Sequence, residues 1–229
     1  METVIGAQTK GSRRDGAGPT GAWSTGAEVD REALLAAAIR YAEDRHWQVA
    51  PGHHLVRRDA RVLCSCGRLD CTRPGAHPLS SDWAVEATTS GVRVRQLWGA
   101  HPDASIILPA GRMFDVIDVP ELAGCLALAR LERQGKQLGP VLSTPGRRLQ
   151  FFVLPGMQKQ LPDLVRRLGW KPERLDLRYL GKGEYVVAPP SNAGLALGAT
   201  HWVRPPVEAN RWPPDARELI APIAYACAR

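Results

Sequence analysis

The stretch FDVIDVPELAGCLALARLERQ, residues 114–134, joins a strand to a helix and bears most directly on the fold. Its first part, FDVIDVP, is short, rich in apolar and β-branched residues and closed by a proline, which is typical of a strand. From Glu121 onward, apolar residues recur at the three- and four-residue spacing of an amphipathic helix. The stretch therefore predicts a chain in which strands and helices alternate.

The segments on either side of this stretch continue the alternation. The first helix begins after Asp30, a residue suited to the N-cap position, and it carries an apolar stripe. Predicted helices cover about residues 30–45, 92–101, 121–134, 161–170 and 215–226, and predicted strands cover about 46–51, 104–109, 114–120, 148–155 and both sides of a Gly-Lys-Gly turn within 175–191. This order predicts one α+β (α/β-like) domain over residues 29–229, with a mixed sheet and flanking helices.

Composition narrows the class of protein. Residues 1–28 are rich in glycine and poor in large apolar side chains, so we expect a disordered N-terminal tail. No apolar run is long enough for a membrane span or a signal peptide, so we expect a cytoplasmic protein without a membrane partner. The net charge of +7 and pI near 9.5 permit binding to a phosphate backbone. The basic residues are spread along the chain, and a solvated surface explains them equally well.

The stretch CSCGRLDCTRPGAHP, residues 64–78, contains a cluster of metal-ligand residue types. Cys64, Cys66, Cys71 and His77 follow a C-x-C-x4-C-x5-H spacing. Thiolates and imidazole are the preferred ligands of tetrahedral Zn²⁺, and four of them close a structural site. The sequence predicts a zinc loop over residues 62–80, with unligated thiols and a disulfide as alternatives. A disulfide is disfavoured in a reducing compartment.

Five segments carry a resemblance to a known family. They are the cysteine stretch followed by Trp83, then VRVRQLWGAHPDASIILPAGR, FDVIDVP, STPGRRLQFFVLP and LDLRYLGKGEYVVAPPS. In this order they resemble the N-terminal domain of bifunctional DNA primase/polymerases, in the archaeo-eukaryotic primase superfamily, over about residues 33–205. The resemblance implies a primase/polymerase-type domain that binds nucleic acid or a nucleotide, with a separate helicase or other replication protein as a further partner.

The resemblance also implies a carboxylate site for nucleotidyl transfer, a reaction that uses two divalent cations. The family's central strand ends in Asp-x-Asp, and here Asp118 takes the first position while Pro120 takes the second. Asp176 matches the third carboxylate, and Glu121 is a further candidate. Because proline offers no side-chain oxygen, we expect at most one Mg²⁺ or Mn²⁺ at this site.

The resemblance and the period of a strand together predict how these carboxylates are arranged. We expect the strand 114–119 to lie beside the strands 149–153 and 176–178, with Asp118 and Asp176 on one face. Side chains three positions apart on a strand point to opposite faces, so Asp115 should face the other way.

The family's phosphate-contacting residues are only partly matched. A histidine that contacts the incoming phosphates in the family corresponds to Leu149 in this chain. The resemblance leaves Arg147, Arg148, Arg178 and Ser191 as contacts to a nucleotide or nucleic acid.

Three functions follow from this pattern. The first, which we expect because Pro120 and Leu149 replace active-site residues, is a binding or regulatory domain (a pseudoenzyme) whose nucleotidyl transfer is lost or weak. The second is an active primase/polymerase that uses Asp118, Glu121 and Asp176 in a rearranged site. The third is a protein-interaction scaffold without a role in nucleic-acid binding.

Overall fold

A computed structural model describes residues 30–58, 61–194 and 199–229. The helices are α1 (Arg31–Glu43), α2 (Trp83–Glu86), α3 (Gly91–Ala100), α4 (Glu121–Arg133), α5 (Leu161–Arg167) and α6 (Ala216–Cys227). The strands are β1 (Ala50–Gly52), β2 (Leu55–Arg58), β3 (Arg61–Cys64), β4 (Ser105–Pro109), β5 (Asp115–Pro120), β6 (Val141–Thr144), β7 (Arg148–Val153), β8 (Arg178–Leu180), β9 (Tyr185–Ala188) and β10 (His201–Arg204). In these ranges no helix is both long and apolar enough to cross a membrane. The predicted disordered tail lies outside the described residues.

The larger sheet has five strands in the order β10-β6-β7-β5-β8. Strand β5 lies between β7 and β8, so both of its edges are hydrogen-bonded within the sheet. Alternate residues of β5 enter two different cores, with Ile117 and Val119 on one face and Val116 on the other. The near-continuous apolar run of this strand follows from burial on both faces.

Helices α4, α5 and α6 cover one face of this sheet. Their apolar stripes pack on Ile117, Val119 and Phe151 of strands β5 and β7. Helix α4 approaches the sheet closely at Gly124, where an added Cβ would lie 2.6 Å from the Cβ of Leu149. The amphipathic pattern of residues 121–134 therefore supplies this helix-on-sheet layer.

The opposite face of the sheet packs against a second, smaller sheet of order β1-β4-β9 and against helices α1 and α3. Aromatic rings fill the space between them. The ring of Phe114 lies 4.5 Å from that of Phe152 and 5.1 Å from that of Trp47, measured between centroids. Burial of such large rings is the main contribution of this layer to stability.

The α+β class is confirmed, and each predicted helix and strand overlaps an observed one. Three features differ from the predictions. Every strand pair in the described residues is antiparallel, whereas a mixed sheet was expected. The two strands beside the Gly-Lys-Gly turn, β8 and β9, belong to different sheets. Strands β6 and β10 and the hairpin β2–β3 were not predicted, because they are short and only partly apolar.

Candidate functional site

The four predicted zinc ligands converge on one point. The Sγ atoms of Cys64, Cys66 and Cys71 and a ring nitrogen of His77 all lie within 4.8 Å of one another. The Nε2 atom of His77 is 3.4 Å from the Sγ of Cys64 and 3.5 Å from the Sγ of Cys71. Ligands held about 2.0–2.3 Å from a tetrahedral zinc ion are separated by such distances. The cluster is therefore consistent with a structural zinc site.

The surroundings of the cluster are compatible with a bound zinc ion. Each of these cysteines is free, so none of them forms a disulfide. The Nδ1 atom of His77 lies 3.2 Å from the carbonyl oxygen of Pro78, a contact that fixes the ring and leaves Nε2 for a metal. Burial raises the pKa of the Cys64 thiol to about 11, and a coordinated metal would overcome this cost by binding the thiolate.

The loop is held in shape by the hairpin before it and by its glycines. Strands β2 and β3 pair with Leu55 opposite Cys64, which brings the first ligand to the base of the loop. Gly67 and Gly75 have φ values of 76° and 67°, in the left-handed region that glycine adopts without strain. The amide of Gly75 donates to the Sγ of Cys64 at 3.4 Å.

The predicted carboxylates lie in and beside the larger sheet, and an arginine joins them. Strand β5 pairs with β7 and with β8, as predicted, although β8 begins at Arg178, just after Asp176. The Nε of Arg148 donates to Oδ2 of Asp118 at 2.7 Å, and its Nη1 donates to Oδ2 of Asp176 at 2.9 Å. Asp118 and Asp176 thus lie on the same face of the sheet, where the guanidinium of Arg148 joins them.

Arg148 is almost fully committed to this bridge. Its Nη2 also donates to the backbone carbonyl oxygens of Asp118 at 3.1 Å and Asp176 at 3.4 Å. These contacts use four of the five N–H groups of a guanidinium. Arg148 therefore has little capacity left for a phosphate group.

The two carboxylates differ in their surroundings. Asp118 is only 3% exposed, and burial raises the pKa of its carboxyl while the Arg148 guanidinium opposes part of that rise. Asp176 has a side chain that is 57% exposed, and its hydrogen bond from Arg148 lowers the pKa of its carboxyl. The Asp118–Arg148 contact is therefore the buried half of the bridge.

These residues do not fit a pair of catalytic divalent cations. A guanidinium already stands between the two carboxylates that would hold the ions, and Pro120 offers no oxygen ligand. A cation placed there would have to displace Arg148 and break its four hydrogen bonds.

Asp115 lies on the other face, as the strand period predicts. Its Oδ2 accepts hydrogen bonds from the hydroxyl of Tyr179 at 2.8 Å and from the amide of Gly156 at 2.7 Å. Burial also raises the pKa of the Tyr179 hydroxyl, which keeps it a donor. Asp115 thus anchors the segment after β7 and stays away from the cavity.

The residue expected at the histidine position does not face the cavity. Leu149 is 1% exposed and packs in the helix-covered core, directly beneath Gly124. Its neighbour Gln150 pairs across from Asp118 and lines the cavity instead. The alternation of polar and apolar residues from Arg148 to Phe151 indicates that Leu149 and Gln150 face opposite ways, and the register of β5 against β7 places Gln150 beside Asp118.

The remaining predicted residues have varied surroundings. Arg147 forms a surface ion pair with Glu121 at 3.2 Å, so Glu121 is held at the start of α4. The hydroxyl of Ser191 is buried and accepts a hydrogen bond from the amide of Ile106 at 2.8 Å. Arg178 is exposed and stands beside Asp118 in the sheet. Its guanidinium forms no side-chain hydrogen bond or close ion pair with any described residue, although its charge acts to lower the pKa of the Asp118 and Asp176 carboxyls.

A cavity of about 800 Å³ occupies this face of the sheet. Its charged lining comprises three arginines, Arg73, Arg148 and Arg178, and two acids, Asp118 and Glu184. Its volume lies within the range that small-molecule and cofactor sites occupy. Sequence analysis missed Arg73 and Glu184: both lie within segments that carry the resemblance, but neither was assigned a role there.

One of the comparisons with known proteins identifies a family. No curated protein and no solved structure shows significant similarity to the chain. Residues 38–212 match the family described as "Bifunctional DNA primase/polymerase, N-terminal". That range spans the zinc cluster, both sheets and the cavity. The chain therefore belongs to the bifunctional DNA primase/polymerase N-terminal domain family.

Proposed function

We propose that this domain binds the phosphate groups of a nucleotide or a single-stranded nucleic acid in the cavity, and that its nucleotidyl transfer is lost or weak. The observation that carries the proposal is the position of Arg148 between Asp118 and Asp176. Its positive charge offsets one of the two carboxylate charges, and the cavity lining as a whole has three arginines, Arg73, Arg148 and Arg178, against the two acids Asp118 and Glu184. The cavity thereby becomes suited to an anion without a metal ion.

Two other arginines remain available to the ligand. Arg178 and Arg73 line the cavity and form no ion pair with any residue in the described ranges. Glu184 is directed to its own turn, where its Oε2 accepts from the amide of Gly181 at 3.0 Å. Arginine is well suited to phosphate because its planar guanidinium donates two parallel hydrogen bonds.

We expect nucleotidyl transfer to be lost or weak because the site lacks groups that the reaction needs. Two-ion catalysis stabilises both the attacking and the leaving oxygen, and this site has an arginine and a proline where ligands are required. Leu149, at the position of the family's histidine, is buried away from the cavity, and its neighbour Gln150, which lines the cavity, offers no charge to a phosphate. Groups that act together lose several orders of magnitude in rate when one is removed.

Binding is tested by fluorescence anisotropy with a labelled oligothymidylate, with a nucleoside triphosphate as competitor, with and without added Mg²⁺. We expect the same affinity in both conditions. The Arg178→Gln variant should bind about tenfold more weakly, since a charge-assisted hydrogen bond contributes about 1.5–3 kcal/mol. Arg174→Gln, an exposed arginine outside the cavity lining, is the matched control and should bind as the unaltered protein does.

Transfer is tested by extension of a primed template with Mg²⁺ or Mn²⁺. We expect no product above that of an Asp118→Ala variant. Efficient synthesis that Asp118→Ala abolishes would show instead that the protein is an active primase/polymerase. Absence of binding to either probe at low salt would refute the binding function.

A further inference from the structure

The zinc loop forms one wall of the cavity. Thr72, Arg73, Pro74 and Ala76 line the same cavity as Asp118 of the large sheet. All four lie between the third and fourth zinc ligands in the sequence. The conformation of this wall is therefore set by the same loop that gathers the metal ligands.

Hydrogen bonds join the wall to the rest of the cavity. The hydroxyl of Ser105 donates to the carbonyl of Gly75 at 2.9 Å, and the amide of Gly194 donates to the carbonyl of Pro74 at 2.9 Å. The loop is also crowded at Gly75, where an added Cβ would lie 2.8 Å from the carbonyl oxygen of Asn192. Displacement of the zinc loop would consequently move the lining of the cavity.

Arg73 is the one arginine that this wall places in the cavity. Its guanidinium carbon lies 4.7 Å from the ring centroid of Tyr185, a cation–π arrangement that limits the positions the side chain adopts. Trp83 supports the ring from its edge, with centroids 5.1 Å apart and planes at 74°. Arg73 is exposed and has no carboxylate partner among residues 30–58, 61–194 and 199–229.

We propose that Arg73 is a phosphate-binding residue of the cavity and that bound zinc keeps it in place. The proposal rests on the phosphate-binding function proposed above and names a contact supplied by the loop instead of the sheet. Arg73 belongs to the loop and Arg178 to strand β8, and both line the cavity, so one phosphate chain could contact both of them. Zinc acts here through the backbone of residues 72–76 and has no contact with the ligand.

The first test compares two arginines of the same loop. Arg73→Ala removes the proposed contact, whereas Arg68→Ala makes the same change at a residue that pairs with Asp70 outside the cavity. We expect Arg73→Ala to weaken binding of the labelled oligothymidylate about tenfold and to lower the salt slope by about 0.7, the value for one phosphate contact. Arg73→Lys should restore part of the affinity, and Arg68→Ala should change it less than twofold.

The second test removes zinc from the unaltered protein and from Arg73→Ala. Affinity of the unaltered protein should fall to about that of Arg73→Ala, while the variant should lose little more. Metal analysis must show equal zinc in the two loaded proteins. Hydrogen exchange at the amides of Gly75 and Gly194 should become faster on zinc removal, because these donors bond to the loop.

The outcomes separate the two proposals. If neither the oligothymidylate nor the nucleoside triphosphate binds, the proposed function fails and this inference fails with it. If the unaltered protein binds but Arg73→Ala and Arg68→Ala behave alike, Arg73 is not a ligand-binding residue. If zinc removal leaves both affinity and exchange unchanged in folded protein, the link between zinc and the cavity wall is refuted. Competition by the triphosphate distinguishes a nucleotide from an oligonucleotide as the preferred source of phosphate.

Discussion

Replacement of Arg148 by methionine tests whether the arginine is required to bury Asp118. The variant keeps the apolar stem but leaves a carboxylate that is 3% exposed without its cation. Removal of one partner of a buried ion pair costs about 3–5 kcal/mol. In a domain of this size that loss corresponds to a fall in Tm of about 6–20 °C. Urea unfolding followed by tryptophan fluorescence measures the difference in free energy of unfolding.

The control variants make this prediction specific. Arg147→Met removes an exposed ion pair and should cost less than about 1 kcal/mol. Asp176→Asn should also cost little, since that side chain is 57% exposed. Asp118→Asn should be far milder than Arg148→Met, because it removes the buried charge itself. Equal losses in Asp118→Asn and Arg148→Met, or a loss below 1 kcal/mol in Arg148→Met, would refute the reasoning.

The pH dependence of Arg148→Met provides a second check with a defined sign. Burial already raises the pKa of the folded Asp118 carboxyl, and loss of the guanidinium must raise it further. A carboxyl whose pKa is higher in the folded than in the unfolded state destabilises the folded protein at pH values where the carboxyl is ionised. The effect disappears at pH values where it is protonated in both the folded and the unfolded state. The difference between the unaltered protein and Arg148→Met should therefore shrink as the pH falls toward about 4, the pKa of an unfolded aspartate. A difference that grows on acidification would contradict this assignment.

Two further predictions concern the metal site and the position of the missing histidine. Purified protein should contain about one zinc per chain, and the Cys71→Ser variant should lose the zinc and have a lower Tm. Metal analysis of the unaltered protein that finds under about a tenth of an equivalent would refute the zinc site. Pro120→Asp combined with Leu149→His should not create primer extension and should lose about 2–4 kcal/mol of stability, because Leu149 packs against Gly124 in the core. The control variant Gln150→His should be tolerated. Extension activity in the Pro120→Asp, Leu149→His protein would contradict the register described here.

The elements of the fold were predictable because their signals are local. Asp30 caps α1 as its residue type suggests, with its side chain accepting from the amide of Ala33, and the apolar period of residues 121–134 matches α4. The convergence of Cys64, Cys66, Cys71 and His77 was also predictable, since they lie within a short loop whose length restricts how far apart they can be. Likewise the opposite directions of Asp115 and Asp118 follow from the period of one strand.

The arrangement of the cavity required the tertiary structure, because it depends on pairing between strands distant in sequence. The register of β5 against β7 directs Leu149 into the core and Gln150 into the cavity, and a shift of one residue would exchange them. The same pairing brings Arg148 within hydrogen-bonding distance of Asp118, although the two are 30 positions apart. A sequence motif records which residues are present, but only the folded chain determines that a guanidinium lies between the carboxylates where the family's chemistry requires metal ions.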